Sequence, residues 1–160
     1  MALRNIVKEG DPILRKKCRE VTEVNDHIRM ILDDMLETMY ESEGVGIAAP
    51  QVGILRRMFI VDIGDGPIEL INPEIVEQSG LQEDEEACLS VPGVAGVVKR
   101  PTYVKIKGLN RFGEEVEYEG RDFKAKAFCH EYDHLDGILF IDKATSTRTM
   151  DMDLDDDFEK

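Results

Sequence analysis

The sequence predicts an α+β fold in which mainly antiparallel strands pack around a C-terminal helix with a His-Glu-x-x-His motif, with a long helix near the N-terminus. Three observations support this prediction. Apolar residues recur at helical spacing over residues 26–41, short segments rich in Ile, Val and Tyr fill the middle of the chain, and His-Glu-Tyr-Asp-His at 130–134 lies in a second helical stretch. The order helix, strands, helix favours this class over an alternating parallel fold.

Two helices are expected in the N-terminal part of the chain. Asp11 followed by Pro12 is typical of a helix start and predicts a short helix. The long helix covers residues 26–41, and Asn25 or Asp26 would cap it. Its apolar residues at spacings of three and four are Ile28, Ile31, Leu32, Met35, Leu36 and Met39.

The middle of the chain is predicted to form strands. The segments are short, β-branched or aromatic in composition, and separated by Gly, Pro and Asp. They cover residues 58–63, 69–72, 97–99, 103–109 and 115–119. The last two are joined by residues 110–113, a connection of hairpin length that contains Gly113, so antiparallel pairing is expected. The second helix would follow from about residue 121 to residue 135.

Length and composition predict one domain over residues 1–143 and a flexible acidic tail over residues 144–160. Acidic residues outnumber basic ones 34 to 20, and the net charge of −14 argues against DNA or another nucleic acid as principal ligand. No apolar run is long enough for a membrane span, and the N-terminus has no signal-peptide pattern. Three cysteines do not form a disulfide framework, so a cytoplasmic location is expected.

The strongest functional signal is the pair of histidines at 130 and 134. Four positions apart on a helix, they face the same side and can share one metal ion, while Glu131 lies beside it as a general base. Such a pair arises by chance on some solvated helices. However, the chain has only three histidines, and Phe123, Ala127 and His130 form one inward-facing stripe. The pattern therefore predicts metal-assisted hydrolysis.

A catalytic metal of this type needs a third protein ligand. The metzincin continuation of the motif would place a histidine where this chain has Phe140, which cannot bind a metal. A thermolysin-like downstream glutamate would have to be Glu159, in the acidic tail. The upstream candidate is Cys88, whose thiolate suits zinc or ferrous iron, although a lone cysteine is more often a small buried hydrophobic residue.

A third segment bears on the choice among these candidate metal ligands. It reads Gly-Val-Gly-Ile-Ala-Ala-Pro-Gln and covers residues 44–51. Its two glycines permit the close approach of another backbone, and Gln51 supplies an amide donor. Taken alone, the segment is typical of a loop that leads into a packed strand.

Together the three segments closely resemble the signature motifs of peptide deformylases: Gly44-x-Gly46-x-Ala-Ala-Pro-Gln51, Glu-x-Cys88-Leu-Ser, and His-Glu-x-x-His at 130–134. The resemblance extends from about Ile6 to about residue 142. It implies a metal-dependent amidohydrolase that removes the N-formyl group from formyl-methionyl nascent peptides and releases formate. The implied cofactor is one Fe²⁺ per chain, with Zn²⁺, Ni²⁺ or Co²⁺ as substitutes.

The resemblance also implies roles for individual residues. The metal would be held by Cys88, His130 and His134. Glu131 would act as general base and then acid, and the Gln51 amide with the backbone N–H of Leu89 would stabilise the oxyanion. The peptide would lie extended between the Val45 region and residue 87. The residues expected to contact it are Gly44, Val45, Gly46, Ala87, Phe123 and Ala127.

Two features depart from the family pattern. Alanine stands at position 87, where the family usually has glycine, and it would be strained if that position required a positive φ. Some family members approach ribosomal RNA near the exit site through a basic C-terminal helix, whereas the acidic tail here would be repelled by RNA.

In addition, Arg100 and Asp133 are expected to form an ion pair that fixes the motif helix.

Two other functions compete with the deformylase prediction. A zincin-type metalloendopeptidase would share the His-Glu-x-x-His motif but would use a ligand other than Cys88. A binding domain that only captures nascent amino termini would need neither the base Glu131 nor the donor Gln51, so the presence of both residues argues against it.

Overall fold

A computed structural model describes residues 2–150 of the chain. The α-helices and strands, in chain order, are α1 (Asp26–Glu41), β1 (Gly46–Ala48), β2 (Met58–Val61), β3 (Ile68–Ser79), β4 (Gln82–Cys88), β5 (Val91–Arg100), β6 (Tyr103–Leu109), β7 (Glu115–Arg121), α2 (Phe123–Leu135), α3 (Phe140–Lys143) and β8 (Ser146–Thr149). Two 3₁₀ turns, Pro12–Arg15 and Ala49–Val52, precede α1 and follow β1.

The strands form two antiparallel sheets. The larger sheet has the order β1-β2-β3-β6-β7 and the smaller one β4-β5-β8. β1 and β4 are therefore edge strands, each with one row of backbone groups unpaired within its sheet. The α+β class with antiparallel strands around the motif helix is confirmed.

The larger sheet lies between the two long helices, and β2 shows why. Met58 and Ile60 pack in one cluster with the apolar face of α1. Phe59 and Val61, on the opposite face of the strand, pack with α2. A four-residue strand that is buried on both faces thus holds α1 and α2 on opposite sides of one sheet.

Several strands are longer than the sequence suggests, or were not predicted. β3 continues to Ser79 past Pro73, and its register with β6 shifts at that proline, as a residue without an N–H requires. β4 has an acidic sequence with low strand propensity, yet pairing with β5 makes it a strand. α1 has the predicted bounds, and the Asn25 side chain accepts a hydrogen bond from the Ile28 N–H at 3.1 Å.

The smaller sheet extends past the predicted domain boundary at residue 143. β8 pairs with β5, with Thr149 opposite Val94 and Ser146 opposite Val97. This part of the predicted tail is therefore a strand. The remaining tail residues, 151–160, lie outside the described residues. None of the helices within residues 2–150 is long and apolar enough to cross a membrane.

The residue that precedes α2 has an unusual backbone conformation. Asp122 has φ 54° and ψ −115°, a region that favours glycine, and its side chain makes no capping hydrogen bond. Its backbone is nevertheless fixed, because its N–H donates to Thr102 and its carbonyl accepts from the Gln82 side chain. The turn that starts the motif helix is thus strained.

We expect Asp122→Gly to stabilise the protein. Glycine adopts this conformation without the Cβ penalty, and no side-chain hydrogen bond is lost. The free energy of unfolding should rise by about 1 kcal/mol, and the melting temperature by about 2–4 °C. Urea and thermal unfolding measure both quantities.

Asn72→Gly is the matched control. Asn72 also has a positive φ, 51°, but its side chain bonds both the N–H and the carbonyl of Val21, at 2.8 and 2.9 Å. Loss of those bonds should outweigh the relief of strain, so this variant should be less stable than the wild type. A destabilised Asp122→Gly variant would contradict the assignment of strain to that residue.

Candidate metal centre and active site

The three sequence segments meet where the edges of the two sheets face the motif helix. Residues 44–51 form β1 and the following turn at the edge of the larger sheet. Cys88 ends β4 at the edge of the smaller sheet, and α2 carries His130 and His134. The site is thus assembled from both sheets and the helix between them.

Cys88, His130 and His134 lie close enough together to hold one metal ion. Their ligand atoms are all within 4.8 Å of one another, and no other cluster of this kind is found among residues 2–150. The distance from Cys88 Sγ to His134 Nε2 is 3.4 Å. Donor atoms of a tetrahedral site with ordinary metal–sulfur and metal–nitrogen bonds lie about 3.3–3.6 Å apart.

The donor set and its surroundings fit a catalytic metal with an open position. One thiolate and two imidazoles are three ligands, which leaves a fourth position for water or substrate. Glu131 Oε1 is buried and has no hydrogen-bond partner among the described residues, so it has a lone pair available for a group at that fourth position. The other cysteine near the motif, Cys129, is not part of this ligand cluster, and burial raises its pKa to about 11.

Glu86 fixes the orientation of His130, a role that the sequence did not reveal. Its carboxylate accepts a hydrogen bond from His130 Nδ1 at 2.8 Å, which leaves Nε2 free for the metal. It also accepts two bonds from Arg100, at 2.9 and 3.0 Å. Burial alone would raise the pKa of Glu86, but the hydrogen bonds from His130 and Arg100 outweigh burial and hold the pKa at about 2. In the sequence, the signal that could have indicated this role is the position of Glu86 two residues before Cys88.

The expected ion pair between Arg100 and Asp133 is present. Arg100 donates to Asp133 at 2.6 Å while it also holds Glu86, so one buried guanidinium connects β4 to α2. Lys143 lies 3.0 Å from the same Asp133 carboxylate. Phe140 stands where a metzincin would have its third histidine ligand. Its ring stacks against the His130 ring, with the centroids 6.0 Å apart.

The orientation of Gln51 follows from its hydrogen bonds. Its Oε1 accepts from the Ala48 N–H at 2.9 Å, so Nε2 must point the other way. Nε2 donates to Ser90 Oγ at 3.1 Å and lies 3.5 Å from Cys88 Sγ. The amide is buried and directs its donor at the metal centre.

Glu131 is buried against Gly46. A Cβ at Gly46 would lie 2.8 Å from the Glu131 Cδ, so the glycine makes room for the carboxylate and not only for a backbone. Burial raises the pKa of Glu131 to about 7. A group of this pKa can take and return a proton near neutral pH.

The N-terminal segment ties together the two elements that carry the expected oxyanion donors. The Val7 N–H donates to the Gln51 carbonyl, and the Glu9 N–H donates to the Ser90 carbonyl, both at 2.7 Å. Lys8 Nζ donates to the carbonyl of Leu89 at 3.2 Å. The N-terminal segment therefore connects the turn after β1 with the turn between β4 and β5.

The expected substrate residues all line one cavity of about 590 Å³ next to this centre. They are Gly44, Val45, Gly46, Ala87, Phe123 and Ala127. Leu89, Gln51 and Glu131 line the same cavity. Phe123 is 46% exposed at the rim, whereas Ala127 is buried.

The backbone at Gly46 and Ala87 is suited to peptide pairing. The carbonyl of Val45 is already occupied, because it accepts from the Asp62 N–H on the β2 side. Backbone groups alternate between the two edges of a strand, so the groups of Gly46 face away from β2. Ala87 is not among the residues with positive φ, so alanine at this position is not strained.

Comparisons with known proteins identify the same family that the sequence motifs resemble. A family model described as polypeptide deformylase matches residues 3–150. The peptide deformylase of Clostridium botulinum (strain Alaska E43 / Type E3) is 60% identical over 145 residues, which cover 91% of this chain and 99% of that protein. The relative from Thermoanaerobacter pseudethanolicus is 58% identical over 144 residues, 90% of this chain and 91% of its own.

Solved structures of the same family also match this chain. The crystal structure of peptide deformylase from Thermotoga maritima superposes with a TM-score of 0.89 at 42% identity and covers 91% of this chain and 100% of its own. The peptide deformylase of Synechococcus elongatus, solved in complex with actinonin, has a TM-score of 0.86 at 33% identity, with 97% and 84% covered. The chain therefore belongs to the polypeptide deformylase family.

Proposed function

We propose that this protein removes the N-formyl group from the N-terminal formyl-methionine of newly synthesised polypeptides and releases formate. The observation that carries the proposal is the convergence of Cys88, His130 and His134 on one point at which Gln51 Nε2 is also directed, with the Glu131 carboxylate beside them. Metal ligands, a base and an oxyanion donor in one cavity are the parts that amide hydrolysis needs.

Each polar group at the centre has a step in this reaction. Cys88, His130 and His134 would hold the metal ion, which when bound would lower the pKa of the attacking water and polarise the formyl oxygen. Glu131 takes the proton of the attacking water and delivers it to the amide nitrogen, which leaves as the free amino terminus. Gln51 Nε2 and the Leu89 N–H donate to the formyl oxygen as negative charge develops on it.

We propose Fe²⁺ as the native ion, one per chain, with Zn²⁺, Ni²⁺ or Co²⁺ as substitutes. A thiolate with two imidazoles suits all of these ions, so family membership is the main support for iron.

The peptide would lie extended between the two edge strands. Its backbone would pair with Gly46 of β1 and Ala87 of β4, and the methionine side chain would enter the apolar part of the cavity near Phe123 and Ala127. Because such substrates leave the ribosome, the protein would act in the cytoplasm near the exit site. With an acidic C-terminal segment, it would not reach the ribosome by binding RNA there.

The metalloendopeptidase alternative is not favoured. It requires a third ligand other than Cys88, but Phe140 packs on His130, and Cys88 Sγ lies 3.4 Å from His134. The capture of amino termini without catalysis would not explain why Glu131 Oε1 is buried with no hydrogen-bond partner among the described residues.

Glu131→Gln should abolish most activity while the metal stays bound. The amide has a similar shape but cannot take a proton, so formate release from a formyl-Met tripeptide should fall about 10²- to 10⁴-fold. The assay is run anaerobically with Fe²⁺, and metal content is measured by plasma emission spectrometry. Formate release at the wild-type rate would show that Glu131 is not the base.

Cys88→Ala should prevent stable metal binding at this centre. The two remaining imidazoles provide too few ligands, so the metal content per chain should fall close to zero after dialysis. Cys18→Ala is the matched control, since Cys18 is buried but is not part of the ligand cluster, and this variant should leave the content at one. A fully loaded Cys88→Ala variant that cleaves internal peptide bonds would favour the endopeptidase alternative.

Glu86→Gln should weaken metal binding without removing a ligand. The neutral amide orients His130 less firmly and leaves Arg100 with one buried carboxylate instead of two, so metal affinity should fall about 10- to 100-fold. Competition with a chelator measures the affinity. Glu83→Gln, at an exposed position on the same strand, should bind metal like the wild type; equal losses in both variants would contradict the role of Glu86.

A further inference from the structure

Lys126 lies in the cavity wall with an unusual set of partners. It is on α2, one turn before His130, and only 7% of its surface is exposed. Its Nζ donates to the backbone carbonyl of Glu85 at 3.2 Å and lies 3.4 Å from an Asp84 carboxylate oxygen. The centroid of the Phe123 ring is 5.0 Å from Nζ. The ammonium group of this buried lysine therefore contacts oxygen atoms of β4.

The Glu85 carbonyl belongs to the free edge of β4. Glu85 is opposite Val97, and the Val97 carbonyl is directed away from β4, since it accepts from the Thr145 N–H. This pair therefore makes no hydrogen bond across the ladder, and the Glu85 groups point outward. The pairing register with β5 shifts between Glu86 and Cys88, but β4 itself is continuous to Cys88, so by alternation the next outward-facing residue toward the metal centre is Ala87.

A bound peptide must run past Ala87 toward Glu85. This step rests on the proposed function, which places the formyl end at the metal beside Cys88. β4 ends at Cys88, so a peptide that leaves the metal along this edge meets Ala87 first and the Glu85 carbonyl two residues later. Both residues line the cavity together with Lys126.

We propose that Lys126 is a positioning residue that limits peptide pairing with β4 to Ala87, because its ammonium group occupies the Glu85 carbonyl. A peptide N–H could bond that carbonyl only by displacing a charged donor, and charge-assisted hydrogen bonds are about twice as strong as neutral ones. The Asp84 carboxylate and the Phe123 ring hold the ammonium in place. The Glu85 side chain does not interfere, since Arg148 binds its carboxylate at 2.6 and 2.8 Å.

This limit has a consequence for substrate selection. Main-chain recognition by β4 ends soon after the methionine, so the sequence of the remaining nascent chain has little influence on turnover. Removal of the ammonium group would expose a second acceptor on the edge and extend recognition to a residue two positions further along the peptide.

The test is an N-methyl scan of formyl-Met pentapeptides, with kcat/KM for formate release measured for wild type and Lys126→Met. Methylation replaces one peptide N–H at a time at the second to fifth residues. In Lys126→Met, one position that is insensitive in the wild type should become sensitive, with a loss of about five-fold. Lys126→Arg, which retains the cation, should give the wild-type pattern.

Lys124→Met is the matched control, because Lys124 is on the same helix but binds Asp65 and not β4. It should leave the scan unchanged. Identical patterns for wild type and Lys126→Met would overturn the proposal, while formate release by both would leave the deformylase function intact. If wild type released no formate, the proposed function would fail together with this inference. Should Lys126→Met not fold, Lys126→Gln, whose amide ends one bond short of the ammonium, replaces it.

Discussion

The buried ion network of Glu86, Arg100 and Asp133 is the interaction on which the metal centre depends. Arg100 holds Glu86 on β4 and Asp133 on α2, and Glu86 in turn orients His130. Removing one member of such a buried network typically costs about 3–5 kcal/mol, because the remaining charges lose their compensation. Its main contribution is placement: it fixes the strand that supplies Cys88 against the helix that supplies both histidines.

The second constraint is that the candidate site draws its polar groups from the edges of two separate sheets. Gln51 follows β1 in the larger sheet, and Cys88 ends β4 in the smaller one. The N-terminal segment bridges them through Val7 and Glu9, and Gln51 bonds Ser90 directly. Two sheet edges held apart in this way leave a groove in which a peptide can complete both ladders. Under the proposal made above, the Lys126 ammonium covers the Glu85 carbonyl on one of these edges and so limits how far a peptide can pair with it.

Local patterns predicted the elements whose signals lie within one segment. The period of α1, its Asn25 cap and the spacing of His130 and His134 needed no tertiary information. β4 was not recognisable, because its acidic residues have low strand propensity and only pairing with β5 makes it a strand. Neither was β8, whose Ser, Thr and Arg residues lie within residues 144–160, the segment predicted to be a flexible tail. Glu86 was visible in a motif, but its bond to His130 crosses 44 residues of sequence.

By itself, the sequence determined the chemistry of this protein: two imidazoles and a carboxylate at helical spacing, a cysteine and a glutamine in motifs that resemble one family. These are properties of residue type and local period, which a chain carries before it folds. Only the tertiary structure decided which edges are free, why Gly46 must lack a side chain, that Ala87 is unstrained, and that Lys126 covers the Glu85 carbonyl. Those facts depend on contacts between residues distant in sequence, and such contacts are fixed when the two sheets and the helix pack together.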